Sequence, residues 1–534
     1  MSNWDYIIVG AGSAGCVLAN RLSENPAHKV LLLEAGARDS SPALRIPAAM
    51  SRTILNPNYD WCYPVKADSS RAGRTDVWPS GKVIGGSSTI NGLFYTRGQP
   101  QDFDRWAELG NTGWSYDDVS PYFKRIENSE IGSAELRGKS GPLHVSELRE
   151  VHALSQIFVE AVHECGVSYY DDYNTSDQSG VSLVQVTQKN GRRCSAAHAY
   201  LHPIKKRSNL TVVTSAHCEK LLFKDKRCTG VEYRNQGKTI SVVADKEVIL
   251  SAGAIGSPKI LMLSGIGAAA DLAKFGIPGV ADVPGVGKNL QEHPNVQIGS
   301  YVNVPTYNID ARNPFKMVKH LLQWWLFGTG PATSPYSQAA AFYKSEDLQG
   351  RPDLEILFAP HLFEFTDKGP KPAKKSAVNA VLSLCRPGSR GQVSLSSSDP
   401  AVMPNIEYAM LSEDADIELL IKGCKMVRKI FATDAFAPYV EGDTVPGSSA
   451  TKDKQWEAFI RQNVFGGNHL VGTCKMGVDS EAVVNPELKV RGIERLRVVD
   501  ASVMPEIISA HTNAATLMIA EKASDLILGA KPEA

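Results

Sequence analysis

Asp5-Tyr6-Ile7-Ile8-Val9 runs without a break into Gly10, Gly12 and Gly15, and no other feature of this sequence restricts the fold so strongly. The apolar run predicts a buried strand. The glycines follow at G-x-G-x-x-G spacing, residues 16–22 predict a helix, and residues 29–33 predict a second strand ending on Glu34. Those parts in that order make the βαβ unit that binds dinucleotides. Gly10 permits the tight turn, Gly12 lets backbone approach a pyrophosphate, and Gly15 lets helix and strand pack closely. The helix N-terminus offers free N–H groups and a positive dipole end to phosphate oxygens. Glu34 lies nineteen residues after Gly15, where a carboxylate can accept hydrogen bonds from ribose hydroxyls and would repel a 2′-phosphate. With 44 glycines in the chain a bare spacing match means little. Strand, loop, helix, strand and acid in register carry the reading, which leaves NAD and FAD both open.

The 534 residues exceed the roughly 250–300 at which single cores stop growing, so two domains are expected. A formal net charge of zero removes any charge-based case for a nucleic-acid partner. Nine cysteines, odd in number and without close pairs, argue against a disulfide framework or a metal site and fit a reducing compartment. Too few residues precede the first strand for a signal peptide, and no apolar run reaches the ~18 residues that span a bilayer. The expected location is the cytoplasm, with peripheral attachment to the inner membrane left open. That second option rests on residues 315–327, an apolar stretch containing Trp324 and Trp325, with Lys316, Lys319 and His320 near its start. It reads either as a buried or interface helix or as a peripheral membrane contact.

A second glycine-rich run covers residues 81–98, with five small residues among the eight from Gly81 to Ser88, more than a turn needs. A ligand approached closely by backbone is favoured there. Short strands are expected at 209–214, 221–223, 228–233 and 247–254, with Pro258 placed for a helix start. Residues 300–460 are richer in aromatic runs and carry an amphipathic helix at 414–431, and the last segment returns to a strand at 496–501 and a closing helix at 514–528. First and last parts therefore form one discontinuous nucleotide domain with another inserted.

Residues 81–104, the stretches 253–258 and 264–267, the segment 468–477, and 499–505 with 511–514 together resemble the signatures of the glucose–methanol–choline (GMC) oxidoreductases, along essentially the whole chain. In appearance the chain is most similar to bacterial FAD-dependent alcohol, polyethylene glycol and choline dehydrogenases. The resemblance implies FAD and an α/β fold (α+β overall). A Rossmann-like FAD-binding domain would comprise residues 1–150, 196–300 and 462–534. The inserted substrate-binding domain, an antiparallel sheet with helices, would comprise 151–195 and 301–461. It also implies that Gly10, Gly12, Ser13, Gly15, Glu34 and Ala35 hold the ADP half of FAD. Val83, Gly86, Asn91, Gly92, Leu93 and Phe94 would line flavin and pyrophosphate. Cys218 would offer backbone to adenine, Trp61 would pack nearby, and Asp500 and Ala501 would meet the ribityl side, with Asn513 and Ala514 beside the flavin. Some members attach FAD covalently through a histidine where this chain has Ile90, so non-covalent FAD is expected.

Oxidising an alcohol removes a hydroxyl proton while the α-carbon passes hydride to the flavin, and histidine titrates in the range a base needs. By the resemblance His469 is that base and His511 orients the alcohol oxygen. Choline-specific relatives carry a glutamate in a segment that aligns near residues 337–342, where Gln338 would leave a cation unpaired. With Trp324, Trp325, Phe358 and Phe363 in the substrate block, a neutral primary alcohol (aliphatic or polyether-type) is expected, oxidised to the aldehyde. Electrons would pass to a quinone or another acceptor. The alternative is an alcohol oxidase for aryl or aliphatic alcohols that makes hydrogen peroxide. Choline dehydrogenation and hydroxynitrile lysis rank below both.

Overall fold

Strand Asn3–Val9 lies inside a seven-stranded sheet, flanked in parallel by Val30–Leu33 on one side and Lys238–Leu250 on the other. This is a computed structural model, and it describes residues 3–530 except 176, 346–349, 367–368 and 448–449. Leu210–Val213 extends the parallel set beyond Val30–Leu33, and Leu496–Val498 pairs in parallel with Val248, Ile249 and Leu250. The hairpin Ala216–Lys224 and Arg227–Asn235 completes the sheet in antiparallel fashion. Val30–Leu33 is buried at every position, as a parallel strand covered on both faces must be.

Helix Ser13–Leu22 crosses between the first two strands and packs on the closing helix Asn513–Leu528. Gly10 has φ +102°, and a Cβ on Gly15 would lie 1.9 Å from the Gly10 carbonyl oxygen. The turn and the helix–strand approach therefore both require glycine.

Helix Gly253–Leu263 begins before Pro258 rather than at it, which corrects the expected start. Proline inside a helix strands the carbonyl four residues back. Here that is Ala254, whose oxygen accepts a hydrogen bond from the Thr473 hydroxyl at 2.5 Å.

A second seven-stranded sheet is wholly antiparallel, in the order Val440–Val445, Pro294–Val302, Ala377–Leu384, Leu354–Ala359, Ala339–Tyr343, Gly180–Leu183, with Phe465–Gly466 as the seventh strand, also beside Pro294–Val302. After Gly180–Leu183 the chain re-enters this sheet at Pro294, so the boundary expected at residue 300 falls inside a strand. Helices Ala153–Glu164 and Asp414–Phe431 cover one face, where Phe158 stacks on Phe358 at 4.5 Å between centroids. Alternation along Leu354–Ala359 sends Ile356 and Phe358 into that helix-covered core and Glu355 and Leu357 to the opposite face, which walls a cavity. Helix Pro314–Phe327 buries only Trp324, so it is no core helix.

Candidate active site

One cavity of about 1690 Å³ runs from the glycine loop of the first sheet to the open face of the second. Gly10, Gly12, Ser13, Glu34, Ala35, Trp61, Gly86, Asn91, Gly92, Leu93, Phe94, Cys218, Asp500, Ala501 and Asn513 all line it, as do His469 and His511. Of the expected site residues, three do not reach it. Gly15 is held against Gly10, Val83 is fully buried in a cluster with Leu44 and Ile90, and Ala514 is buried inside the closing helix. Their place is behind the wall.

The nucleotide end has the form of an anion cradle. Helix Ser13–Leu22 has Gly12 at its N-cap with no side-chain hydrogen bond there, so its first N–H groups are left for a ligand. A Cβ on Gly12 would find nothing nearer than the Ser251 oxygen at 4.0 Å, and one on Gly86 would meet the Gly12 Cα at 2.7 Å. The two glycine loops thus touch, with open space on the cavity side of Gly12. Glu34 accepts the N–H groups of Ala11 (2.9 Å) and Gly36 (2.7 Å), and burial pushes its carboxyl up to about 7. Asp500 accepts from the Gly253 N–H, the Ser257 hydroxyl and the Ser502 N–H. Ser13 donates to Asn513 Oδ1 at 2.7 Å, tying the glycine loop to the last helix. These features fit FAD.

Asn91 is fixed by Arg193, which donates to its Oδ1 (2.6 Å) and its carbonyl (2.8 Å). Past Phe94 the loop is anchored by a buried ion cluster. Glu127 accepts from Arg97, Arg137 and the Tyr95 hydroxyl, while Arg137 also binds Asp172. Burial alone would raise the Glu127 carboxyl, but Arg97 and Arg137 hold it below the usual range.

At the other end the rings of His469 and His511 lie 4.4 Å apart between centroids, and Phe94 packs edge-on against His511 at 4.6 Å. Two further groups, invisible to the sequence reading, complete the constellation. His293 Nδ1 is 2.9 Å from His469 Nδ1, and His293 Nε2 faces the carbonyl oxygens of Cys385 (3.2 Å) and Ile508 (3.1 Å). Carbonyls only accept, so a neutral His293 carries its proton on Nε2 and presents a lone pair at Nδ1. The shared proton therefore sits on His469 Nδ1, which leaves His469 Nε2 as a free base. Burial, then His511 and His293, hold His469 well below 6.5, and burial with His511 holds His293 at about 3. Glu292 accepts the backbone N–H groups of His293 and His469 and fixes both residues.

Glu355 Oε2 lies 3.3 Å from His511 Nε2, while its Oε1 is buried without a partner. Gln338, by contrast, does not line the cavity. Its amide is spent on Ser155, Ser334, Tyr307 and the backbone of Glu150 and His152, so its neutrality says nothing about a bound cation. The only sequence signal for these residues was a histidine after an acid at 292–293 and an acid at the head of an apolar strand.

The GMC oxidoreductase family models match residues 4–295 (N-terminal part) and 387–520 (C-terminal part). The chain is 41% identical to the mitochondrial choline dehydrogenase of Homo sapiens, over 98% of this chain and 90% of that protein. It is 41% identical to the oxygen-dependent choline dehydrogenase of Brucella suis, over 99% and 96%. Among solved structures, pyridoxine 4-oxidase from Mesorbium loti superposes with a TM-score of 0.89 at 31% identity, covering 98% of each chain.

Proposed function

The chain belongs to the GMC oxidoreductases, a flavoprotein that uses FAD to oxidise CH–OH donors, and from that premise we propose that it oxidises a neutral primary alcohol to the aldehyde with His469 as base. The carrying observation is the His293–His469 contact, which leaves His469 Nε2 free to accept a hydroxyl proton. FAD, when bound, supplies the hydride acceptor. His293 holds the base in one tautomer, and the depressed pKa keeps it unprotonated before the alcohol arrives. Glu355 Oε2, 3.3 Å from His511 Nε2, steadies the His511 ring beside His469, where it can hydrogen-bond the alcohol oxygen. Leu321, Tyr336, Leu357, Phe363 and Val381 on the cavity wall support an apolar body for the substrate. His469→Ala is expected to keep its yellow cofactor and lose about 10²–10⁴-fold in turnover. Full activity in that variant would remove the proposed base.

Ile90 offers no nucleophile, which supports FAD held without a covalent bond, so acid precipitation should leave the flavin in solution. The two sheets support a division into an FAD-binding part (1–150, 196–300, 462–534) and a substrate-binding part (151–195, 301–461), the third boundary moved back to Pro294. For the acceptor we favour a quinone or another organic oxidant over oxygen, and scattered, unpaired cysteines support a cytoplasmic location. Dye reduction measured beside peroxide release separates the two acceptors.

A second reading is oxidation of a cationic alcohol such as choline. It draws on the unpartnered Glu355 Oε1 at the cavity wall and on the names of the 41%-identical relatives. Anaerobic bleaching of the flavin by choline against 1-alcohols of matched size decides between them.

A further inference from the structure

Six of the fourteen exposed large apolar side chains among the described residues sit on the single helix Pro314–Phe327. Phe315 (86% exposed), Val318 (57%), Leu322 (52%) and Trp325 (64%) recur at helical spacing on one face, and Leu326 and Phe327 extend it. The opposite face is committed inward. Trp324 is buried and donates to the Gly191 carbonyl, while Met317, His320 and Leu321 line the large cavity. The helix has no acidic residue, and Lys316 and Lys319 flank the ridge. A ridge of this kind is unusual on a water-facing surface.

Its C-terminal end walls a second cavity of about 780 Å³, where Trp325, Leu326 and Phe327 face Arg45, Lys189, Arg192 and Arg193. Among the described residues no carboxylate lines that cavity. Arg193 is 3% exposed, and among the described residues its guanidinium hydrogen-bonds to neutral groups alone, Asn91 and the Ser88 carbonyl. The Nε atoms of Arg45 and Arg193 are buried with no hydrogen-bond partner among the described residues. Buried guanidinium donors without an anion beside an apolar ridge call for a ligand that is anionic at one end and hydrocarbon at the other.

We propose that helix Pro314–Phe327 is a membrane-docking element that lies in the headgroup layer of an anionic lipid surface. The ridge reaches toward the acyl chains and the cationic cavity receives a headgroup phosphate. Because the inner face of the same helix walls the large cavity, an amphiphilic alcohol or a lipid-soluble acceptor would reach that cavity from the bilayer.

The test uses the full FAD-loaded chain in flotation with phosphatidylcholine vesicles, with and without phosphatidylglycerol. Binding should require phosphatidylglycerol and weaken with salt. The triple variant Phe315→Ser, Trp325→Ser, Phe327→Ser should lose binding on the order of 100-fold, with its flavin content and turnover of a short soluble alcohol unchanged. Lys189→Gln should cost about fivefold. Absence of vesicle binding would overturn the proposal, as would equal binding to both vesicles. So would a dimer that dissociates in the triple variant without any lipid binding, since the ridge would then be an interface between copies. The readout is lipid binding, so its failure leaves the alcohol-oxidation reading standing.

Discussion

At His469 the chemistry comes down to which ring nitrogen is protonated, and His293 fixes that from behind. A base works only unprotonated, so kcat/KM falls as pH drops through its pKa. Burial, His511 and His293 hold that value well below 6.5, so the acid limb should lie below 6.5, and a limb at or above neutrality would contradict the arrangement. His293→Phe removes one of the groups holding His469 down and frees the ring to turn. We expect kcat to fall by up to about 100-fold, KM to change little, and the acid limb to move up toward 6.5. A uniform loss with an unmoved limb would mean that His293 only fills space. The glycines separate two roles in the same loop. Gly12→Val has room for its Cβ and should give folded, colourless protein, because the side chain takes the pyrophosphate's place. Gly15→Ala would put a methyl 1.9 Å from the Gly10 oxygen and should fail to fold. Absorbance at the flavin band with a melting curve distinguishes the two.

Among elements, the loop from Asn91 to Arg97 shows how the site is braced from outside. Its position depends on Glu127, on which Arg97, Arg137 and Tyr95 converge. Glu127→Gln takes the carboxylate from the buried Arg97 and one of the two from Arg137, and breaking such a cluster typically costs about 3–5 kcal/mol. Chemical denaturation should register that loss, together with weakened flavin retention; a change under about 1 kcal/mol would show that Asp172 suffices to hold Arg137. Strand Leu354–Ala359 makes a different point. Its near-continuous apolar run announces a buried strand, but which side chains face the cavity depends on register with Ala377–Leu384, where Leu357 pairs with Val381. No local pattern reports that register. Glu355 was therefore illegible, while the βαβ opening was readable because strand, turn and helix are all local. Pro258 misled for the same reason: the Thr473 hydroxyl that makes it tolerable in a helix comes from a distant loop.

For the molecule as a whole, the parallel sheet and the antiparallel sheet share one cavity, and each contributes groups the other lacks. The glycine loop and Asp500 belong to the first; Glu355 and Leu357 belong to the second. His293 and His469 come from distant segments brought together where Gln291 pairs with Val471 and Pro294 with Gly466. The sequence could nominate His469 and His511 by their surroundings, but not the neighbours that set their protonation. A chain cut before Leu496 would lose a parallel strand, Asp500 and the Asn513 partner of Ser13, and it should be recovered without flavin. Yellow truncated protein would refute that dependence. The Ser13–Asn513 hydrogen bond also carries a temporal consequence. Because the glycine loop is completed by a residue 500 positions further along, the cofactor cradle is whole only once helix Asn513–Leu528 has packed against it. Flavin should therefore be captured late, by chains whose two distant ends have already met, and cells short of riboflavin should accumulate folded, pale apoprotein.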